Sequence, residues 1–488
     1  MRLLPPSPRP TIGPSSAARL LSRAALPSLP SGISRPSYDV RTLRPGIVHL
    51  GVGGFHRAHQ AVYLDRLAEL DPALGWSVAG VGTRSSAIRD DLLAQECLYT
   101  VMERGRDGER ARVVGIMRDY LAAAREPDTV LAALADRRTQ VITLTVTAPA
   151  YTLPPCDDDV FHLLAGALDL RRRRGRGGVT VLSCDNLRRN GDETRARVLA
   201  AAAARSDALA GWVAESVSFP NSMVDRITPP PSGEEQRHLR QHYGVHDRVP
   251  VATETFSQWV VEDAFAADRP RLEEVGVVLT TDVGPYVDLK TRMLNGAHLA
   301  LGFLSRATTH TTTAEAIRDR SLRSVIERML VTEVAPGLSH VPGVDLIDYQ
   351  RDVLDRLGDP AVADPLSRLR RRGSVRVANY LVPSLERAVA QGRDHEVMLS
   401  VLAAWVQHLA AAAAAISDGS RTRREVEADL ADPISHQLLP LAARAHRDVR
   451  PFLAAVPGLA GLRGDADFTT ALQKRLNVQE THTRATAS

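Results

Sequence analysis

Between Pro45 and about residue 281, short β-branched runs alternate with helical patterns, and no feature of this sequence constrains the fold more. Segments 47–50, 76–81, 140–147, 179–183 and 276–281 read as strands. Helical stretches at 61–67, 127–135 and 194–204 lie between them. Such alternation implies a parallel sheet covered by helices on both faces. After about Asp282 the strands stop. Segments 292–304, 313–330, 348–357, 376–391, 395–416 and 423–430 carry helical periodicity. An α/β domain over 39–283 and a mostly α-helical domain over 284–488 are therefore expected. Residues 1–38, with eight prolines, eight serines and no acid, read as a disordered Pro/Ser/Arg-rich tail.

The net charge is +4, but five arginines sit in that tail, which leaves residues 39–488 at −1. The body thus lacks the electrostatic footprint of a nucleic-acid binder. Cys97, Cys156 and Cys184 are odd in number and far apart, which fits neither a disulfide framework nor a cysteine zinc site. A reducing cytoplasm is the simplest compartment, and the prolines of the tail oppose an organelle-targeting helix. The most apolar stretch, 398–416, is alanine-rich and interrupted by Gln407 and His408, so a buried helix is expected there and no membrane partner.

The first strand runs into Gly51-Val52-Gly53-Gly54-Phe55-His56-Arg57. A strand, a glycine turn and a helix start fit a Rossmann-type, doubly wound dinucleotide site, where glycines let the backbone approach a pyrophosphate; a plain tight strand-to-helix turn is the alternative. His56 stands where the third glycine of G-x-G-x-x-G is usual. His56 and His59 have H-x-x-H spacing but no evident third ligand, so no metal is expected. The second strand lacks the usual ribose-binding acid. It is followed by Thr83-Arg84-Ser85-Ser86, which suits a 2′-phosphate and leaves NAD against NADP open.

Of 61 basic residues only Lys290 and Lys474 are lysine. Arginine stays protonated at any accessible pH, whereas a buried lysine can lose its proton. Lys290 lies in Lys290-Thr-Arg-Met-Leu-Asn295-Gly-Ala-His298. On an α-helix Asn295 and His298 are about 60° apart, and Lys290 is about 140° from Asn295. These groups suit oxidation of a secondary alcohol. Lysine's reference pKa of about 10.4 falls on burial, and neutral amides hold a developing alkoxide without quenching the base. Asn295 is one candidate donor; Asn186, closing Ser183-Cys-Asp-Asn186 after an apolar strand, is another.

Together, residues 51–60 (GVGGFHRAHQ), 183–186 (SCDN), 218–229 (SFPNSMVDRITP), 253–256 (TETF) and 290–298 resemble the mannitol dehydrogenase family, the long-chain, zinc-independent polyol dehydrogenases and reductases. The resemblance implies a Rossmann-type domain followed by a helical one, a monomer, and an NAD(P) cofactor held by residues 51–57. It implies Lys290 as general base, Asn186 and Asn295 as oxyanion donors, and His298 as a substrate-orienting residue. Asp225, Arg368 and Arg376 are implied as substrate contacts; the family usually has lysine at the last. The family also carries glutamates where this chain has Val287 and Ala148, which points to an altered pH profile or a distinct substrate. The expected reaction is oxidation of a mannitol-like polyol to a ketose. Fructuronate or tagaturonate reduction, arabinitol oxidation, or a sugar sensor without turnover are the alternatives.

Overall fold

The computed structural model describes residues 18–83, 88–147, 150–151 and 159–485. The chain divides into two compact units between Gly284 and Pro285.

The first unit is built on six strands: β1 (Arg44–Leu50), β2 (Trp76–Gly82), β3 (Met117–Ala122), β4 (Val141–Leu144), β5 (Val179–Ser183) and β6 (Val217–Ser218). Their spatial order is β6-β5-β4-β1-β2-β3, and every neighbouring pair is parallel. This is the doubly wound Rossmann order, whose direction reverses between β1 and β4. The two-residue period of a strand sends alternate side chains to opposite faces. Ile47 packs on one side with Val78, Ala61, Leu64 and Ala68. Val48 and Leu50 pack on the other with Ile142, Leu144, Leu164 and Leu168. Helices α1 (Gly54–Ala58) and α2 (Gln60–Leu70) follow β1.

Two sequence expectations need correction here. Residues 18–38 are folded, not a tail. Arg19–Leu20 pairs with Val245–His246, and Ile33–Ser34 with Ala111–Arg112. Leu21, Ile33 and Tyr38 are buried, and the Tyr38 hydroxyl donates to Asp65 at 2.5 Å. Leu21, Ile33 and Tyr38 anchor the segment, and Ile33–Ser34 adds to the edge of a four-stranded sheet. The segment at 276–281 does contain a strand, Val278–Thr280, but it pairs with Gln258–Glu262 in a separate three-stranded sheet with Ser222–Asp225. A hydrophobic run marks a strand without naming its partner.

The second unit is helical around Glu396–Ser417, against which Gly296–Leu304, Ser435–Ala442 and Ala466–Ala485 pack. That helix is long and apolar enough to cross a membrane. Val397 to Leu409 carries its buried face, including Trp405 and Leu402. The helices expected at 292–304, 313–330 and 376–391 are not uniform. A π turn overlaps each of them: Lys290–Asn295, Met329–Val334 and Val377–Leu381. The second is also broken at Asp319, which leaves helical geometry and accepts the backbone N–H groups of Ser321 and Leu322 at 2.8 and 3.3 Å.

Candidate active site

In the first unit the turn after β1 is fixed by its backbone. Gly51 has φ +94°, and a Cβ there would stand 2.4 Å from the Thr145 carbonyl oxygen. Its N–H donates to Val81 O at 2.9 Å, and its carbonyl accepts from the Thr145 hydroxyl at 2.7 Å. At Gly53 and Gly54 an added Cβ would meet nothing nearer than 3.8 Å. Gly53 is the N-cap of α1, and no side chain caps it. Open space above the glycines and uncapped helical N–H groups fit a dinucleotide pyrophosphate.

The side chains of this motif face inward. Val52 is buried, and Phe55 stacks on His59 with ring centroids 5.0 Å apart. His56 is buried, stacked on His49 at 3.4 Å, and neither of its ring nitrogens has a hydrogen-bond partner. Burial drives both imidazoles toward the neutral form, His49 to about 3. The Arg57 guanidinium donates to Val249 O and lies over the Tyr99 ring. His59 Nε2–H donates to Gln258 O at 2.9 Å, and its Nδ1 accepts from the Gln60 amide at 2.9 Å. With both His59 nitrogens engaged, the H-x-x-H pair is built into the core. Among the described residues no group of three His, Cys, Asp or Glu side chains could hold a metal ion.

Arg226, in the SFPNSMVDRITP motif, braces the same turn. It donates to Ala58 O at the end of α1, to Glu254 O, and to the Glu103 carboxylate at 2.6 Å. Its neighbour Asp225 is buried at the end of Ser222–Asp225, in register with Gln258. Asn186 is exposed, beyond the carboxyl end of β5. Asp185 beside it accepts the N–H groups of Val146 and Thr147 at 3.1 and 2.7 Å and the Tyr151 hydroxyl at 2.9 Å. It thereby ties the loop after β4 to the loop after β5. Sequence reading missed Asn190, whose buried amide joins Asp185 O to Ser222 O, both at 3.0 Å. Arg84, Ser85, Ser86, Ala148 and Cys156 lie outside the described residues.

In the second unit the π turn changes the geometry expected around Lys290. A π turn closes its hydrogen bonds at i→i+5, so residues five apart stand one above the other, as i and i+4 do on an α-helix. Lys290 and Asn295 therefore share a face, and the separation of about 140° expected for an α-helix does not apply. Lys290 is 7% exposed, whereas Lys474 is exposed at the surface. The Asn295 amide nitrogen is buried and has no hydrogen-bond partner. His298 Nδ1 lies 3.1 Å from Leu294 O. A carbonyl only accepts, so Nδ1 carries the proton and Nε2 presents a lone pair. Burial lowers the His298 pKa to about 4, leaving the ring neutral.

Asp288 forms an ion pair with Arg292 at 2.8 Å, and Val287, where the family carries a glutamate, is buried. The π turn at Lys290 packs against the π turn Val377–Leu381, where a Cβ at Gly296 would come within 3.6 Å of Tyr380 O. Arg376 directly precedes that second turn and donates to Leu369 O at 3.3 Å. Arg368 is held by Asp364 through both carboxylate oxygens. The charges of Asp364, Arg356 and Arg376 all act on His298. The structure thus gathers Lys290, Asn295, His298 and Arg376 on neighbouring turns. It adds Asp364, legible in sequence only as the i−4 partner of Arg368.

A doubly wound sheet with an open glycine turn defines a Rossmann-type dinucleotide-binding fold, and a buried lysine lies on the same π turn as an unpartnered amide. Residues 45–274 match the mannitol dehydrogenase Rossmann domain and residues 282–478 the mannitol dehydrogenase C-terminal domain. The chain belongs to the mannitol dehydrogenase family. It is 36% identical over 415 residues to the polyol:NADP oxidoreductase of Gluconobacter oxydans, covering 80% of this chain and 85% of that one. It is 38% identical over 397 residues to a mannitol 2-dehydrogenase of Cereibacter sphaeroides, covering 77% and 83%. Among solved structures, the Pseudomonas fluorescens mannitol 2-dehydrogenase ternary complex with NAD and D-mannitol aligns with a TM-score of 0.81 at 34% identity, over 96% of this chain and 100% of that one.

Proposed function

We propose that the protein oxidises a mannitol-type polyol at a secondary carbinol to the 2-ketose, with NAD as first-choice acceptor and Lys290 as general base. The observation that carries this reading is the presence on one π turn of buried Lys290 and the unpartnered amide of Asn295. The names of the relatives support the substrate class, and they divide between NAD and NADP.

When bound, a nicotinamide would supply the acceptor for the hydride of the carbinol carbon. The rest falls to the chain. Lys290 takes the hydroxyl proton as neutral amine. Asn295 Nδ2–H donates to the same oxygen as negative charge builds on it, a donor already aimed and not needing to turn. His298 Nε2 accepts the hydrogen of a neighbouring hydroxyl, which orients the chain of carbinols. Arg376 donates to a remote hydroxyl oxygen. Arg368 already has its charge matched by Asp364, which favours a neutral polyhydroxy substrate over an acid sugar.

The test is absorbance at the reduced-nicotinamide band, with mannitol, sorbitol and arabinitol against NAD and NADP, then fructose and fructuronate against the reduced cofactors. Turnover of a neutral hexitol is expected. Turnover of the uronate alone would move the reading to a uronate reductase. Cofactor binding without turnover of any of these would contradict the proposed oxidation.

A further inference from the structure

Where Gly296–Leu304 ends, the second unit gathers three basic side chains with no ion-paired acid among the described residues. Arg306 follows that helix in the short turn Ser305–Ala307 and donates to Ala404 O at 3.5 Å. Arg370 donates through Nε to Gly302 O at 2.6 Å. His408 stands one turn beyond Ala404 on Glu396–Ser417, and its ring centroid is 5.8 Å from that of Phe303. All three are half-buried. Each feels another: the charge of Arg370 acts on Arg306, and both act on His408, which burial and these two cations hold at about 4. No carboxylate pairs with any of them among the described residues.

Capping explains only part of this. The terminal carbonyls of a helix welcome cations, but Gly302 O takes one N–H of Arg370 and leaves both of its terminal nitrogens unspent. Arg306 spends one N–H on a long bond. Arg112, also part-buried, has two acids beside it. Two guanidinium groups brought together out of bulk water repel each other unless an anion lies between them.

We propose that Arg306, Arg370 and His408 form a binding site for a phosphate dianion, free or carried by a monoester. Two guanidinium charges match two negative charges, whereas a carboxylate would leave one positive charge over. Arginine forks suit tetrahedral phosphate oxygens, and the neutral imidazole adds an N–H donor. The site is separate from the candidate active site: Arg306 lies two helical turns, about 12 Å along the axis, beyond His298.

The test is calorimetric titration of the full chain with inorganic phosphate, in saturating NAD so that the glycine turn is filled. One phosphate per chain is expected, with sulfate competing and acetate not. In R306Q/R370Q affinity should fall at least tenfold. If that double variant does not fold, R306Q alone should lose at least threefold, since Arg306 has only one weak bond to the scaffold. A hexitol monophosphate binding tighter than free phosphate would identify the ligand as a monoester, and weaker binding would identify the free ion. Absence of saturable binding, or equal affinity in the variants, would overturn the proposal.

Discussion

Lys290 and Asn295 show how one backbone detail sets the value of two side chains. In a chain with 59 arginines, the lysine that is buried is the one at position 290. Its scarcity made it legible in the sequence. Its relation to Asn295 was not, because a π turn leaves no signature in residue type and adds one residue per turn to the count. Asn295→Ala should slow turnover by about 10²–10³-fold with unchanged nucleotide affinity, the usual cost of removing one oxyanion donor. Val287 lies three residues before Lys290, on an adjoining helical position. A carboxylate there favours protonated lysine, so Val287→Glu should move the acid limb of the kcat–pH profile upward by about one unit. An unmoved limb would remove Val287 from any role in setting that profile. Arg368 was named as a substrate contact from resemblance, and the structure shows its fork already held by Asp364.

At the scale of elements, the glycine turn separates two jobs that its motif merges. Gly51 serves the fold: φ +94° and the Thr145 carbonyl leave no room for a side chain. Gly53 has open space where a Cβ would go, room that the proposed nucleotide would occupy. Gly51→Ala should therefore destabilise the first unit by at least about 1–3 kcal/mol, read by denaturant unfolding. Gly53→Ala should leave stability within about 0.5 kcal/mol and weaken NAD binding at least tenfold. Equal effects on stability would contradict this division. The Arg226 clamp is a second structural device inside a motif legible only as a resemblance. Arg226→Met leaves Glu103 buried beside Arg66 alone and should cost about 3 kcal/mol. The main strands were legible because their apolar runs are long. The pairing of Val278–Thr280 and of residues 18–38 was not, since short edge segments owe their conformation to partners remote in sequence.

For the whole molecule, the same burial that keeps histidines neutral makes the protein sensitive to acid. In the second unit His298 and His408 are each lowered to about 4 by burial, against an ordinary value near 6.5. An imidazole with a depressed folded pKa contributes full stability above 6.5. It loses that contribution as pH falls from 6.5 toward 4, because the unfolded chain takes up the proton first. Each adds a slope approaching about 1.4 kcal/mol per pH unit. In the first unit His49 and His56 act the same way, while Asp65, raised to about 6 by burial, works against them. The two histidines of the second unit should thus make it lose stability as pH falls from 6 to 5 in phosphate-free buffer. His408→Asn should about halve that slope; an unchanged slope would show that His408 is not neutral in the fold.

Removal of the carbinol proton by Lys290 is the step on which the proposed oxidation depends. Its most direct test compares turnover of the preferred polyol by Lys290→Ala and by the native enzyme, with NAD affinity measured on both by fluorescence. Turnover should fall about 10²–10⁴-fold, with NAD affinity unchanged within threefold. Turnover within tenfold of native, across the pH range, would contradict it.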